Sequence, residues 1–145
     1  ITPSARQECL SILLENVKEL KIDKVIGVES RGFFFGILLA NELNVGFIPV
    51  RKPNKLPFDT ISASYDLEYG TDALEIHTDA IQKGDRVLIH DDLLATGGSA
   101  AAAATLIEKS GGVVAGFDFL VALDFLNGGE HLSKFSEQMN AIVHY

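Results

Sequence analysis

The chain has 145 residues, of which 47% are hydrophobic and 22% are charged, a length and balance typical of one folded domain. Its 12 Lys and Arg residues against 20 Asp and Glu residues leave a formal charge of −8, which argues against a nucleic-acid partner. The single cysteine, Cys9, excludes an intrachain disulfide and a multi-cysteine zinc site. The longest apolar stretch, residues 32–40, is about half of a bilayer span, so we expect a soluble, cytoplasmic protein with no membrane partner.

The first fifty residues predict helices and strands in alternation. Ser4 and Gln7 form a capping-box pattern, and leucines at helical spacing follow it, which predicts a first helix. Residues 25–28 are a short apolar run, typical of a strand that is buried on both faces. A second helix is predicted for residues 32–43 and a second strand for residues 45–50.

A polar stretch with two prolines follows at residues 51–67 and predicts a loop far longer than the usual connection. Two short runs at residues 65–67 and 73–76 flank Gly70 and predict a small hairpin. Long loops in small domains are usually functional or mobile. We therefore expect this segment to be one or the other.

The rest of the chain returns to alternating strands and helices. We expect a strand at residues 87–89 that ends at two acids, a helix at residues 100–109, a strand at residues 113–123, a loop at residues 128–129 and a last short strand at residues 141–143. This alternation predicts a single α/β domain with a central, mainly parallel sheet flanked by helices. Its ligand crevice should lie beyond the carboxyl ends of the strands.

A Gly-rich turn, with the sequence HDDLLATGGS from His90 to Ser99, joins one predicted strand to the next helix. Free backbone N–H groups and the positive end of a helix dipole make such a turn a phosphate site. The hydroxyl of Thr96 can add a donor, and Gly97 and Gly98 permit close approach and positive φ. Neither GK[ST] nor GxGxxG is present, which argues against a nucleoside-triphosphate loop and a dinucleotide-binding enzyme.

Two acids, Asp91 and Asp92, come directly before this turn. Because a phosphate site repels carboxylates, these side chains should face sugar hydroxyls, a divalent cation or both. A ribose 5-phosphate meets both requirements, whereas the simpler interpretation is an acidic turn that caps a helix. His90 alternates to the opposite side of the strand from Asp91, which favours a packed histidine over a catalytic one.

The string DDLLATGGS resembles the phosphoribosyl-pyrophosphate signature of the type I phosphoribosyltransferases. Three further segments agree in the same order: GVESRGF from residue 27, RKPNKLP from residue 51, and YDLEYG from residue 65 with LEI from residue 74. The similarity covers residues 25–126. It implies the α/β fold of that family, with a flexible catalytic loop or hairpin, as one domain over residues 1–145.

The resemblance also implies which residues bind the substrate. In the family the two acids meet the ribose hydroxyls, the Gly-rich turn wraps the 5-phosphate, and the ESRG turn, where a non-proline cis peptide is usual, contacts pyrophosphate. The basic segment after the second strand helps to hold pyrophosphate and closes over the site. The implied set is Glu29, Ser30, Arg31, Arg51, Lys52, Lys55, Tyr69, Asp91, Asp92, Leu94, Ala95, Thr96, Gly97, Gly98 and Ser99.

Glu68 matches the family glutamate that lies near the purine N7, and it is the implied catalytic residue. A carboxyl group that shares a proton with N7 would stabilise the incoming base while an oxocarbenium-like centre forms at C1 of the ribose. Tyr69 would help to fix the closed loop. Without the resemblance, an exposed glutamate in a polar loop is more often simply solvated, and Arg31 alone could be a surface charge.

The LEYG string favours adenine as the base, so the resemblance implies that adenine and phosphoribosyl pyrophosphate give AMP and pyrophosphate in purine salvage. It also implies Mg²⁺, held mainly through pyrophosphate and ribose hydroxyls with no direct protein ligand, and a homodimer. Two alternatives stay open. One is a regulator of the same fold that senses phosphoribosyl pyrophosphate, and the other is a related enzyme that uses a different purine base.

Three departures from the family pattern stand out. A hood segment ending in Phe-Arg-Asp, which helps to hold adenine, usually precedes Ile-Thr-Pro, so we expect such a segment ahead of Ile1 to be missing. Phe58 stands where glycine is usual and would stiffen the loop or give it an apolar anchor. Ala122 and Gly129 replace an acidic residue and an arginine, which puts dimer contacts in doubt more than the chemistry.

Overall fold

The computed structural model describes residues 1–145, and a five-stranded sheet forms its centre. In chain order the elements are α1 (Pro3–Val17), β1 (Lys24–Val28), α2 (Gly32–Leu43), β2 (Gly46–Val50), β3 (Thr60–Asp66), β4 (Thr71–His77), β5 (Arg86–Leu94), α3 (Gly98–Lys109), β6 (Val113–Ala122), α4 (Gly128–Leu132) and β7 (Met139–His144). The sheet has the order β2-β1-β5-β6-β7, and every neighbouring pair is parallel. The expected single α/β domain is therefore confirmed.

Helices cover both faces of the sheet, as a parallel sheet requires. On one face α1 and α2 bury a cluster that includes Leu13, Leu39 and Leu88. On the other face α3 and α4 bury a larger cluster together with β3 and β4, which form an antiparallel hairpin. None of the helices combines the length and the apolar character that crossing a bilayer would need.

The first helix begins two residues earlier than the sequence pattern predicted. Thr2, not Ser4, is the N-cap, and its side-chain oxygen accepts a hydrogen bond from the backbone N–H of Ala5 at 3.2 Å. Pro3 suits the first helical position because it lacks an N–H and its φ is already close to the helical value. The predicted capping box of Ser4 and Gln7 is therefore wrong.

Most strand ends lie within two residues of their predicted positions, and three differences are larger. Thr60–Asp66 is a strand inside the expected loop, and Ala63 is its only fully buried residue, so the sequence carries little strand signal. The strand that was expected to end at the two acids continues to Leu94. Residues 128–129 begin a helix rather than a loop, because Leu132, with 0% exposure, anchors that segment in the core despite the low helix propensity of glycine.

Two ionisable side chains lie buried between the sheet and the helices α1 and α2. His90 of β5 and Asp118 of β6 are register partners, both are fully buried, and the ring of His90 packs edge-on against Phe35. None of their side-chain N and O atoms has a partner in ordinary hydrogen-bond geometry. Burial raises the pKa of Asp118 to about 8 and lowers the pKa of His90 to about 4. His90 is thus a packed residue, as the alternation predicted.

We expect Asp118→Asn to raise the free energy of unfolding at pH 7.5 by about 1–3 kcal/mol, because asparagine has the same shape and needs no proton to be neutral. The unfolded chain ionises Asp118 above its ordinary pKa of 3.8, whereas the folded chain keeps the proton up to a pKa of about 8. Wild-type stability should therefore fall as the pH rises through this interval. Urea unfolding at pH 5 and pH 7.5 measures the effect.

The increase in the free energy of unfolding caused by Asp118→Asn should be smaller at pH 5. At that pH the ionisation of Asp118 in the unfolded chain stabilises the unfolded state less. Asp79→Asn is the matched control, since Asp79 is exposed, and it should leave stability unchanged at both pH values. An equal gain at pH 5 and pH 7.5 would contradict the raised pKa of Asp118.

Candidate active site

The main cavity lies at the carboxyl ends of β1 and β5, and its volume is about 880 Å³. From β1 the chain continues outward to β2 on one side, while β5 and β6 lie on the other. Strand order therefore reverses at this point, which is where open α/β sheets bind ligands. The predicted site residues that line the cavity are Glu29, Ser30, Arg31, Lys52, Glu68, Asp91, Asp92, Leu94, Ala95, Thr96, Gly97, Gly98 and Ser99. Arg51, Lys55 and Tyr69 do not line it.

The two acids on β5 have different environments. Asp92 forms an ion pair with Arg31, with 2.7 Å between Oδ2 and Nε. The carboxyl of Asp91 is buried and accepts a hydrogen bond from the backbone N–H of Asp92 at 2.8 Å. Burial, together with the neighbouring charge of Asp92, raises the pKa of Asp91 well above its usual range. The pair therefore presents the ion-paired carboxylate of Asp92 and a buried carboxyl at Asp91 that holds a proton more readily than an ordinary aspartate.

Residues 95–97, which we name the phosphate loop after the role predicted from the sequence, lead directly into α3. No side chain caps this helix, so the N–H groups of its first turn stay free for an anion. Gly97 has φ 87°, a conformation that favours glycine. Gly98 does not have positive φ, contrary to the prediction. Space favours glycine there, because a methyl group would lie 3.2 Å from the Tyr65 ring.

A second helix N-terminus faces the same cavity after β1. The peptide bond between Glu29 and Ser30 is cis, in agreement with the resemblance. Arg31 is the N-cap of α2, and no side chain caps that helix either. The guanidinium is more than half exposed beside Asp92. This second N-terminus can therefore hold another anion, with the donors of Arg31 close by.

Glu29 organises the basic segment that follows β2. Its carboxylate accepts hydrogen bonds from Arg51 Nε at 3.0 Å and from the backbone N–H of Lys52 at 3.1 Å, and Lys55 Nζ lies 3.2 Å away. Burial pushes the pKa of Glu29 upward, but the hydrogen bonds from Lys52, Lys55 and Arg51 outweigh it and hold that pKa below 4.5. Glu29 lines the cavity, but its carboxylate is already engaged by the segment that carries the cations.

Lys52 joins this basic segment to the hairpin. Its Nζ donates to the hydroxyl of Tyr65 at 2.7 Å and forms an ion pair with Asp72. Burial lowers the pKa of Lys52, but the hydrogen bonds to Asp72 and Tyr65 outweigh it and raise that pKa above its usual value. Lys52 is consequently charged at the edge of the cavity and holds the end of the hairpin that is next to its turn.

The turn of the hairpin carries Glu68 and Tyr69. Glu68 is exposed and lines the cavity, whereas Tyr69 is 87% exposed and contributes no wall to it. Phe58, in the loop before β3, adopts φ 63° and is 93% exposed. Phe58 therefore gives this loop no apolar anchor.

The model of the phosphoribosyl transferase domain matches residues 5–123 of the chain. The chain belongs to the phosphoribosyl transferase family. It is 67% identical over 131 residues to the adenine phosphoribosyltransferase of Flavobacterium johnsoniae, a match that covers 90% of this chain and 77% of that protein. It is 56% identical to the enzyme of the same name from Christiangramia forsetii, over 93% of this chain and 79% of that protein.

Solved structures agree with this placement in the phosphoribosyl transferase family. Adenine phosphoribosyltransferase from Thermoanaerobacter pseudethanolicus superposes with a TM-score of 0.94 at 46% identity, covering 98% of this chain and 81% of that one. The Trypanosoma brucei enzyme in complex with AMP, pyrophosphate and ribose-5-phosphate gives a TM-score of 0.87 at 28% identity, with 99% and 65% coverage. Within the family, the chain is therefore an enzyme of the adenine phosphoribosyltransferase group.

The cavity of this phosphoribosyl transferase also has walls that the sequence patterns did not indicate. Tyr65 and Asp66 reach it from β3, and Leu74 reaches it from β4. All three belong to the YDLEYG and LEI segments that carry the family resemblance, but the resemblance implied no binding role for them. The ion pair between Lys52 and Asp72 joins residues 20 positions apart, so no local pattern could have indicated it.

Proposed function

We propose that the chain transfers the 5-phosphoribosyl group of phosphoribosyl pyrophosphate to adenine, giving AMP and pyrophosphate in purine salvage. One observation carries this proposal: two uncapped helix N-termini and two acids converge on one cavity. Phosphoribosyl pyrophosphate has a phosphate, a sugar diol and a pyrophosphate in series, which matches these three features. The names of the relatives, and the complex of the Trypanosoma brucei enzyme with AMP, pyrophosphate and ribose-5-phosphate, support the choice.

In this proposal each feature binds one part of the substrate. The phosphate loop and the hydroxyls of Thr96 and Ser99 hold the 5-phosphate at the start of α3. Asp91 and Asp92 hydrogen-bond the ribose hydroxyls. Arg31 and the N-terminus of α2 hold pyrophosphate, with Lys52 as a further cation at the cavity edge. Glu29, Arg51 and Lys55 act mainly by fixing the segment that carries Lys52.

The reaction breaks the bond between C1 of the ribose and the pyrophosphate oxygen and forms a bond from C1 to N9 of adenine. N9 gives up its proton, and the electrons of the C1–O bond leave with pyrophosphate. Glu68 shares a proton with N7 and so stabilises the changing charge of the base. The hairpin that carries Glu68 excludes water when it lies over the base, and fixed N–H donors hold the leaving group.

Magnesium fits the site as an ion carried by the substrate. Asp91 and Asp92 are adjacent carboxylates beside the proposed sugar position, but the chain has no group of three or more His, Cys, Asp or Glu residues arranged to hold a metal. Mg²⁺ commonly binds one or two carboxylates and completes its shell with substrate phosphates and water. Bound to pyrophosphate and the ribose hydroxyls, it would neutralise the leaving group.

Glu68→Gln should lower kcat with adenine by about 100-fold, the scale of one general acid–base contact. The KM for phosphoribosyl pyrophosphate should stay within about twofold of wild type, because Glu68 is assigned to the base and not to the phosphates. Product formation with adenine, guanine, hypoxanthine and orotate, each with and without Mg²⁺, measures both the activity and its specificity.

Glu137→Gln is the matched control, since Glu137 is exposed and does not line the cavity; it should leave kcat unchanged. Product formation with adenine alone supports adenine as the base, whereas product formation with another base would show that the enzyme uses that base instead. Full activity of Glu68→Gln would remove Glu68 from the mechanism. Tight binding of phosphoribosyl pyrophosphate without turnover on any base would overturn the proposed reaction and favour the regulator of the same fold.

The homodimer and the cytoplasmic location expected from the sequence remain proposals. Phe34 and Ile37 on α2 are 67% and 50% exposed. A second copy that covered this face would remove two large apolar side chains from water, which supports the homodimer.

A further inference from the structure

Helix α4 packs directly against the phosphate loop from a side that does not line the cavity. Gly128, its first residue, is buried and is absent from the cavity wall. Leu132, with 0% exposure, holds the helix in the core. The nitrogen Nδ1 of His131 lies 3.4 Å from the carbonyl oxygen of Thr96 in the loop. The loop is thus supported by an element that begins about 30 residues later in the chain.

The contact at Gly128 leaves no room for a side chain. A methyl group built there would overlap the carbonyl oxygen of Ala95 and would lie 2.9 Å from Leu94 Cδ1 and 3.2 Å from the Gly97 nitrogen. The contact is reciprocal, because a methyl group at Gly97 would lie 2.9 Å from the carbonyl oxygen of Gly128. Gly128 does not have positive φ. Space, and not backbone conformation, therefore requires glycine at this position.

We propose that Gly128 is a positioning residue for the phosphate loop, so that α4 sets where the N–H donors of residues 95–99 lie. This inference rests on the proposed function, in which those donors bind the 5-phosphate. Hydrogen bonds weaken steeply away from their preferred length and angle. A displacement of the loop by a fraction of an ångström would therefore weaken phosphate binding without touching any group that contacts the substrate.

The adjacent residue, Gly129, provides a matched control. A methyl group there would meet only Met139, with its nearest atom, the sulfur, at 3.3 Å. A methionine side chain is flexible and can move aside, whereas the backbone of the phosphate loop cannot. Both variants add the same methyl group at neighbouring positions with ordinary φ. They differ in what that methyl group displaces.

Isothermal titration of the whole chain with ribose 5-phosphate and, separately, with pyrophosphate tests the inference. Gly128→Ala should raise the Kd for ribose 5-phosphate at least tenfold and leave the Kd for pyrophosphate within twofold of wild type. Gly129→Ala should change neither Kd more than twofold. The KM for phosphoribosyl pyrophosphate should rise in Gly128→Ala by a factor similar to that of the Kd for ribose 5-phosphate.

The selectivity for one ligand separates positioning from a general loss of structure. The inference would be overturned if Gly128→Ala weakened the binding of both ligands equally, or if Gly128→Ala and Gly129→Ala had the same small effect on the Kd for ribose 5-phosphate. Either result would leave the proposed function intact. Wild type that binds neither ligand would overturn the proposed function itself. If Gly128→Ala does not fold, His131→Ala provides a second test, because His131 is exposed. This variant should raise the Kd for ribose 5-phosphate about threefold and leave the Kd for pyrophosphate unchanged. An unchanged Kd for ribose 5-phosphate would contradict the proposed role of α4.

Discussion

Asp92→Asn is expected to lower kcat/KM for phosphoribosyl pyrophosphate by about 100-fold. The Asp92 carboxylate is the charged member of the acid pair and lies 2.7 Å from Arg31. A hydrogen bond to a charged group contributes about 1.5–3 kcal/mol, and 1.36 kcal/mol corresponds to a factor of ten in rate. The amide would weaken the bond to a ribose hydroxyl and would also release Arg31. Steady-state kinetics with phosphoribosyl pyrophosphate as the varied substrate measures this loss.

Asp91→Asn is the comparison that tests the asymmetry of the pair. Burial and the charge of Asp92 raise the pKa of Asp91, so its carboxyl holds a proton more readily than an ordinary aspartate, whereas the Asp92 carboxylate is paired with Arg31. Replacing the Asp91 carboxyl by a neutral amide of the same shape should therefore lower kcat/KM for phosphoribosyl pyrophosphate by about tenfold or less. Equal losses in the two variants would contradict the assignment of the charge to Asp92.

Gly32→Ala is expected to lower the free energy of unfolding by about 1–3 kcal/mol, the usual cost of overpacking a tight contact, and to impair activity as well. A methyl group at Gly32, in the first turn of α2, would lie 2.9 Å from the carbonyl oxygen of His90 and 3.1 Å from Asp91 Oδ1. Helix propensity acts in the opposite direction, because alanine is favoured over glycine by about 1 kcal/mol within a helix. The contact should dominate, since the neighbour is strand backbone that cannot move aside.

Urea unfolding followed by circular dichroism measures the effect of Gly32→Ala, and Gly46→Ala is its control. A methyl group at Gly46 would come no closer than 3.6 Å to Lys24 Cγ, and φ there is ordinary. The control should therefore change stability by less than about 0.5 kcal/mol. A gain in stability from Gly32→Ala would mean that helix propensity outweighs the contact with β5.

The centre of the sheet could be predicted because β1, β5 and β6 are mostly buried and have strong local apolar patterns. The apolar run of β1 has a buried residue at four of its five positions, and such a run needs no knowledge of its neighbours to be identified. The hairpin was harder to predict. Its first strand, β3, has one fully buried residue among seven, and it forms because β4 and α3 supply the apolar partners.

The roles within the site divide in the same way. The two acids and the two glycines between Asp91 and Ser99 are close in sequence, so their shared place in one site could be predicted from their spacing. The role of Glu29 could not be inferred from its own surroundings in the chain, because Arg51 and Lys52 are 22 and 23 positions away. The resemblance implied that Glu29 contacts the substrate, whereas the fold shows its carboxylate holding the cationic segment.

The sequence by itself determined the parallel strands, the helix that follows the Gly-rich turn, and the family to which the chain belongs. These features depend on residues close together in the chain, where side-chain pattern and backbone propensity act directly. Only the tertiary structure decided that α4 is a helix, that Gly128 meets the phosphate loop, and that Asp91 is buried while Asp92 forms an ion pair with Arg31. Each of these depends on burial and contact between distant segments, whose energies exist only once the chain has folded.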